Sequence, residues 1–114
     1  MPVFHVKRVP RIRLIAPMRP PLAEPQAIRA RFRGIVQGVG FRAHVQHYCR
    51  AARISGWVRN LPDGSVEAEL IGAVDELREV VQRIQAARPF QVSSVDVMEI
   101  PVPATVSPHF EILH

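Results

Sequence analysis

The sequence predicts an α/β (α+β) domain of order βαββαβ, with one sheet and two helices on one face. Three observations carry this. Apolar residues alternate with polar ones along 28–36 and 65–71, which is strand spacing. They recur at helical spacing along 42–53 and 74–87. Turn-forming residues separate these stretches.

The elements follow in order. In the first strand, Ile28, Ala30, Phe32, Gly34 and Val36 share a face, and Arg29, Arg31 and Arg33 share the other. The predicted first helix, Arg42 to Arg53, places Val45, Tyr48, Cys49 and Ala52 together. Ser55 to Asn60 and Ser65 to Ile71 read as a hairpin around Leu61-Pro62-Asp63-Gly64. Proline presets one dihedral of that turn, and Asp-Gly permits a positive one. The second helix, Val74 to Ala87, has Val74, Leu77, Val81 and Ile84 on one face. Asp75 and Glu76 suit the positive end of its dipole, and Arg88-Pro89 ends it. Val92 to Ile100 is a strand of irregular period, as a bulge would make it. Phe110 to Leu113 closes the sheet at an edge. Right-handed crossovers put the third strand between the first two. Glu67 and Glu69 then face the arginines of the first strand across the open side.

The link between the first strand and first helix carries the chemistry. Gly34, Gly38 and Gly40 fall within seven positions, so the backbone can bend tightly and approach a ligand. A helix starting near Phe41 presents unpaired N–H groups and partial positive charge. No Ser, Thr, Asp or Asn precedes it as a cap. An anion can take that place, and Arg42 adds a guanidinium fork suited to phosphate oxygens. The loop Gln37–Phe41 with Arg42 is therefore a candidate phosphate cradle.

Composition bounds the alternatives. At 114 residues, 47% apolar and 22% charged, the chain fits one globular domain. No apolar run reaches a membrane span. The only cysteine, Cys49, excludes an internal disulfide and fits a reducing cytoplasm. The basic balance is unevenly placed: residues 1–26 carry five basic residues against Glu24, whereas 27–114 carry ten Arg against nine acids. The high pI is thus mainly a property of 1–26 and gives weak support to nucleic-acid binding. More than half of the eleven prolines lie in that segment. It predicts a flexible basic tail at 1–26 ahead of a domain at 27–114. Met18 is a candidate alternative start. The tail fits neither a secretory signal nor, with its prolines and lack of Ser, a transit peptide.

The other reactive side chains read as structural. His44 and His47 can share a helix face, but a metal needs further ligands at suitable spacing. Cys49 suits the core, and Trp57 suits packing. The arginine face of the first strand lacks the aromatic residues of an RNA-binding sheet.

The segments Gly34-Ile35-Val36-Gln37-Gly38-Val39-Gly40-Phe41-Arg42, Gly56-Trp57-Val58-Arg59-Asn60 and Asp63-Gly64-Ser65-Val66-Glu67-Ala68 together resemble the acylphosphatase family. The resemblance runs over roughly Ile28 to Leu113 with its intervals preserved. It implies a ferredoxin-like sandwich with an antiparallel sheet. It also implies a metal-free, cofactor-free hydrolase of carboxyl–phosphate anhydrides. In such an enzyme Gln37, Gly38, Val39, Gly40 and Phe41 would hold the phosphoryl group, Arg42 would bind its oxygens, and Asn60 would orient the attacking water. On residue type alone, Asn60 would be an ordinary residue at a strand end; the paired motif changes that reading. Val45 stands where the family's helix often has Thr, and Arg88-Pro89 where Gly-Pro is frequent. The partner expected is a small acyl phosphate, with no nucleic acid or membrane, and the chain is expected to be a cytoplasmic monomer. A binding module on the same fold, holding a phosphorylated ligand without hydrolysis, is the alternative. Related domains occur within larger maturation proteins that handle carbamoyl phosphate, and the short chain speaks against that architecture.

Overall fold

A computed structural model describes residues 25–38 and 40–114. The predicted tail, apart from Pro25 and Gln26, lies outside the described residues. So does Val39. The elements are β1 (Gln26–Ile35), α1 (Phe41–Ala51), β2 (Ser55–Asn60), β3 (Val66–Gly72), α2 (Val74–Ala86), β4 (Gln91–Ile100) and β5 (Phe110–Ile112). Each lies within two residues of the predicted bounds at either end.

The strands form one sheet in the order β4-β1-β3-β2-β5. As predicted, β3 lies between β1 and β2, antiparallel to both. The expected antiparallel arrangement holds for four strands, whereas β5 joins β2 in parallel, so the sheet is mixed. The cause is the link 101–109. It leaves β4 at one edge and must cross the sheet's width, about 19 Å at strand spacing. Because it stays at the end where β4 stops, β5 starts there and runs alongside β2.

The inward side chains of the sheet form one core with those of the helices. Ile28, Ala30 and Phe32 of β1 meet Val66, Ala68 and Leu70 of β3. Phe41, Val45 and Cys49 of α1 are buried at four-residue intervals. Leu77, Val81 and Ile84 are likewise buried in α2, at intervals of four and three. The irregular period of β4 has a local cause. Arg33 pairs with Ser94 and Gly34 with Val92, leaving Ser93 as an extra residue.

On the open face, Arg29 donates to Glu69 at 2.9 Å, and Arg59 donates to Glu67 at 2.9 Å. Arg33 pairs with Asp96 at 3.2 Å. Trp57 is on this side rather than in the core, because inward-facing Val58 adjoins it. The guanidinium carbons of Arg29 and Arg59 lie 5.2 and 5.0 Å from its ring centroid. The charges there balance locally, which agrees with a solvated face more than with a nucleic-acid surface. The hairpin β2–β3 is unusually close at one point. A Cβ on Gly56 would overlap the Glu69 carbonyl, so only glycine fits.

Candidate active site

β1 ends at Ile35, β2 ends at Asn60 and α1 begins at Phe41, all at one end of the sheet. The loop between β1 and α1 turns through Gly38 and Gly40, with φ of 74° and 81°. These are left-handed values that glycine adopts without strain. Gly40 is also the N-cap of α1, and no side chain caps it. No acidic residue stands in the first turn. The helix therefore directs uncompensated N–H groups and its positive end at the loop.

Phe41 fixes the start of the helix. Its ring is buried and meets Phe32 and Phe90 edge-on, with centroids 5.4 Å away in both cases. Only its main chain is free to face a ligand.

Gln37 fixes the other end of the loop. Its Nε2 donates to the carbonyl oxygens of Leu61 and Ser65, each at 2.8 Å. The side chain is thus a strut, and the main-chain N–H is the group left for a ligand. These bonds join the loop to the turn that follows Asn60. That turn is itself fixed, because Asp63 Oδ1 accepts from the Ser65 N–H at 2.9 Å and from the Ser65 hydroxyl. The Ser65 bonds hold the Asp63 carboxyl below the usual carboxylate range.

Asn60 is half-buried, and its Oδ1 is buried without a hydrogen-bond partner. An acceptor in that condition is costly, so it calls for a donor from solvent or ligand.

Arg42 is half-buried in the first turn of α1. One guanidinium nitrogen, Nη1, donates to the Leu113 carbonyl at 3.3 Å and lies 3.4 Å from His114 Nδ1. Leu113 in turn donates its N–H to the Val58 carbonyl at 2.8 Å. The segment after β5 thus ties Arg42 to the strand that carries Asn60. Nothing in the sequence marks Leu113 and His114 for this; their place depends on the parallel register of β5. Nη2 and Nε of Arg42 make no hydrogen bond among the described residues, which leaves a fork for an oxyanion.

His44 packs edge-on against Tyr48, with centroids 4.7 Å apart, and also contacts the Phe90 ring. Among the described residues no three His, Cys, Asp or Glu side chains gather as metal ligands. Cys49 is fully buried, and burial pushes its thiol up to about 12. Among the described residues no helix is long and apolar enough to cross a membrane.

The sequence model of the acylphosphatase family matches residues 28–112. The chain belongs to the acylphosphatase family. An acylphosphatase of Methanospirillum hungatei is 48% identical over 68 residues, covering 58% of this chain and 75% of that protein. One from Chlorobaculum tepidum is 44% identical over 70 residues, with 60% and 76% covered. The crystal structure of the acylphosphatase from Bacillus subtilis superposes with a TM-score of 0.73 at 30% identity, over 78% of this chain and 99% of that one. The ferredoxin-like fold and the family's general activity, hydrolysis of acyl phosphates, follow from this membership.

Proposed function

We propose that this acylphosphatase works without a metal, with the main chain of Gln37–Phe41 and the fork of Arg42 holding the phosphoryl group. Asn60 orients the water. One observation carries the reading above all: the buried, unpartnered Oδ1 of Asn60 at the end where the loop and Arg42 meet. A water donating to that oxygen is held with its lone pairs directed away from it. A neutral amide positions such a water but does not deprotonate it.

The chemistry asks for little more. The water oxygen bonds to phosphorus while the P–O bond to the acyl carboxylate breaks with its electron pair. The carboxylate is a weak base and leaves without a general acid. The water's protons pass to the phosphate product and to solvent. The phosphoryl oxygens carry the redistributed charge, which preorganised N–H groups and a guanidinium stabilise. Alignment of the water alone contributes several kcal/mol, with an upper range of about 7–11. Residues 27–114 form the catalytic unit in this reading, and 1–26 a tail. A small acyl phosphate as substrate, a monomer and a cytoplasmic setting complete it.

The test is release of phosphate from an aromatic acyl phosphate, with and without a chelator. Turnover should be unchanged by the chelator. Arg42→Ala and Asn60→Ala should each lose about 10²–10³-fold in kcat while circular dichroism stays native. Full activity in either variant overturns the residue roles, and loss on chelation overturns the metal-free chemistry.

A further inference from the structure

A second concavity lies at the opposite end of β2. It has a volume of about 570 Å³, and Arg50, Arg53, Ser55 and His109 line it beside Ile54 and Phe110. Arg50 lies eight residues along α1 from Arg42, about 12 Å at helical rise. The two ends are therefore separate.

The lining has a definite chemistry. It holds two guanidinium groups, an imidazole and a hydroxyl, and no carboxylate. Arg50 donates to the Phe110 carbonyl at 3.2 Å through Nη2, which positions its plane over the start of β5. Arg53 has no hydrogen-bonding or ionic partner for its side chain among the described residues. Ile54 and Phe110 are buried and, with Pro108, supply an apolar floor.

Arg53 also occupies an expensive backbone position. Its φ is 58°, the only positive value among the described non-glycine residues. The bonds from Ile54 N–H to the Cys49 carbonyl at 2.8 Å and from Arg53 N–H to the Arg50 carbonyl at 3.1 Å form a Schellman turn. Glycine is the residue that suits its left-handed position. A guanidinium is held there at the cost of strain, and strain of this kind gathers at sites of function.

We propose that this cavity binds an organic phosphate of nucleotide size. Arg50 and Arg53 take the phosphate oxygens with their forks. The apolar floor and the His109 ring take the body of the ligand. The volume falls within the ordinary range for small-molecule sites.

ATP is a suitable probe, followed by residue-resolved amide shifts in the full chain. Shifts should appear at Arg53–Ser55 and His109–Phe110, and should persist in Arg42→Ala, which removes the fork of the catalytic end. Arg53→Gly should keep the fold, since glycine suits that backbone, and should weaken ATP at least tenfold. Adenosine and inorganic phosphate should each bind more weakly than ATP. Absence of shifts at these residues at millimolar ATP overturns the proposal. So do shifts confined to the Gln37–Arg42 end, equal ATP affinity in Arg53→Gly, or equal affinity for inorganic phosphate.

Discussion

Gln37 Nε2 lies 2.8 Å from the carbonyl oxygen of Ser65, and this bond couples the β1–α1 loop to the β2–β3 turn. Its companion bond, to Leu61, anchors the residue next to Asn60. The Ser65 and Leu61 carbonyls also accept from the N–H groups of Leu61 and Gly64, so each keeps a partner if Gln37 is lost. Gln37→Ala should therefore cost only about 1–3 kcal/mol for two hydrogen bonds. The loop and Asn60 would then lose their common reference. Turnover, measured where the variant is fully folded by urea titration, should fall by more than the stability change explains. Unaltered kcat/KM would show that the strut does not position the site.

Asn60 gives the opposite balance. Its buried Oδ1 has no partner within the protein, so the folded chain carries a desolvation cost there. Asn60→Ala should leave unfolding free energy within about 1 kcal/mol of the parent, or raise it. Activity should nevertheless collapse. A large stability loss in urea titration would mean that Asn60 serves the fold rather than the water.

The alkaline limb of stability should report Cys49. Burial pushes its thiol up to about 12, whereas an exposed thiol ionises near 8.5. Above that lower value the unfolded chain sheds a proton that the folded chain keeps. Stability must then fall as pH rises, by about 1.4 kcal/mol per pH unit for one proton. It is undiminished by this group at lower pH. In Cys49→Ala this part of the slope should vanish, although the buried sulfur is lost at every pH. Denaturant titrations of both chains between pH 8 and 10.5 measure the difference. Parallel slopes would show that the thiol ionises alike in both states.

Arg53→Gly should stabilise the chain. Relief of the left-handed strain is worth about 1–2 kcal/mol, offset by about 0.4–1 kcal/mol of unfolded-state entropy. A net gain of up to about 1.6 kcal/mol is expected by thermal or urea unfolding. A loss would mean that the Arg53 side chain supports the turn.

The fold was legible where burial is periodic. Val66, Ala68 and Leu70 are buried in β3, and Phe41, Val45 and Cys49 in α1, each at the spacing its element requires. The direction of β5 was not legible, because three residues carry no pattern that separates parallel from antiparallel pairing. The hold of Leu113 on Arg42 depends on that direction and was hidden with it. Gln37 showed no sign of its strut role either, since its partners are main-chain carbonyls that any residue could supply. Trp57 does pack, as its residue type suggests, but outward: the alternation with Val58 places it on the open face, and the Arg29 and Arg59 side chains cover it.

Gly56 and Gly40 differ in what holds them in place. At Gly56 the neighbouring carbonyl leaves no volume for a side chain, while Gly40 has open space around it and is constrained by its φ of 81° alone. Selection would act on the two through different failures. Loss of Gly56 disrupts the hairpin, so its invariance across homologues would be expected even in members that had abandoned hydrolysis. Loss of Gly40 disturbs chiefly the aim of the loop, so drift there would mark lineages in which the reaction had lapsed. A comparison of the two positions within one alignment would thus separate descent of the scaffold from persistence of the catalyst.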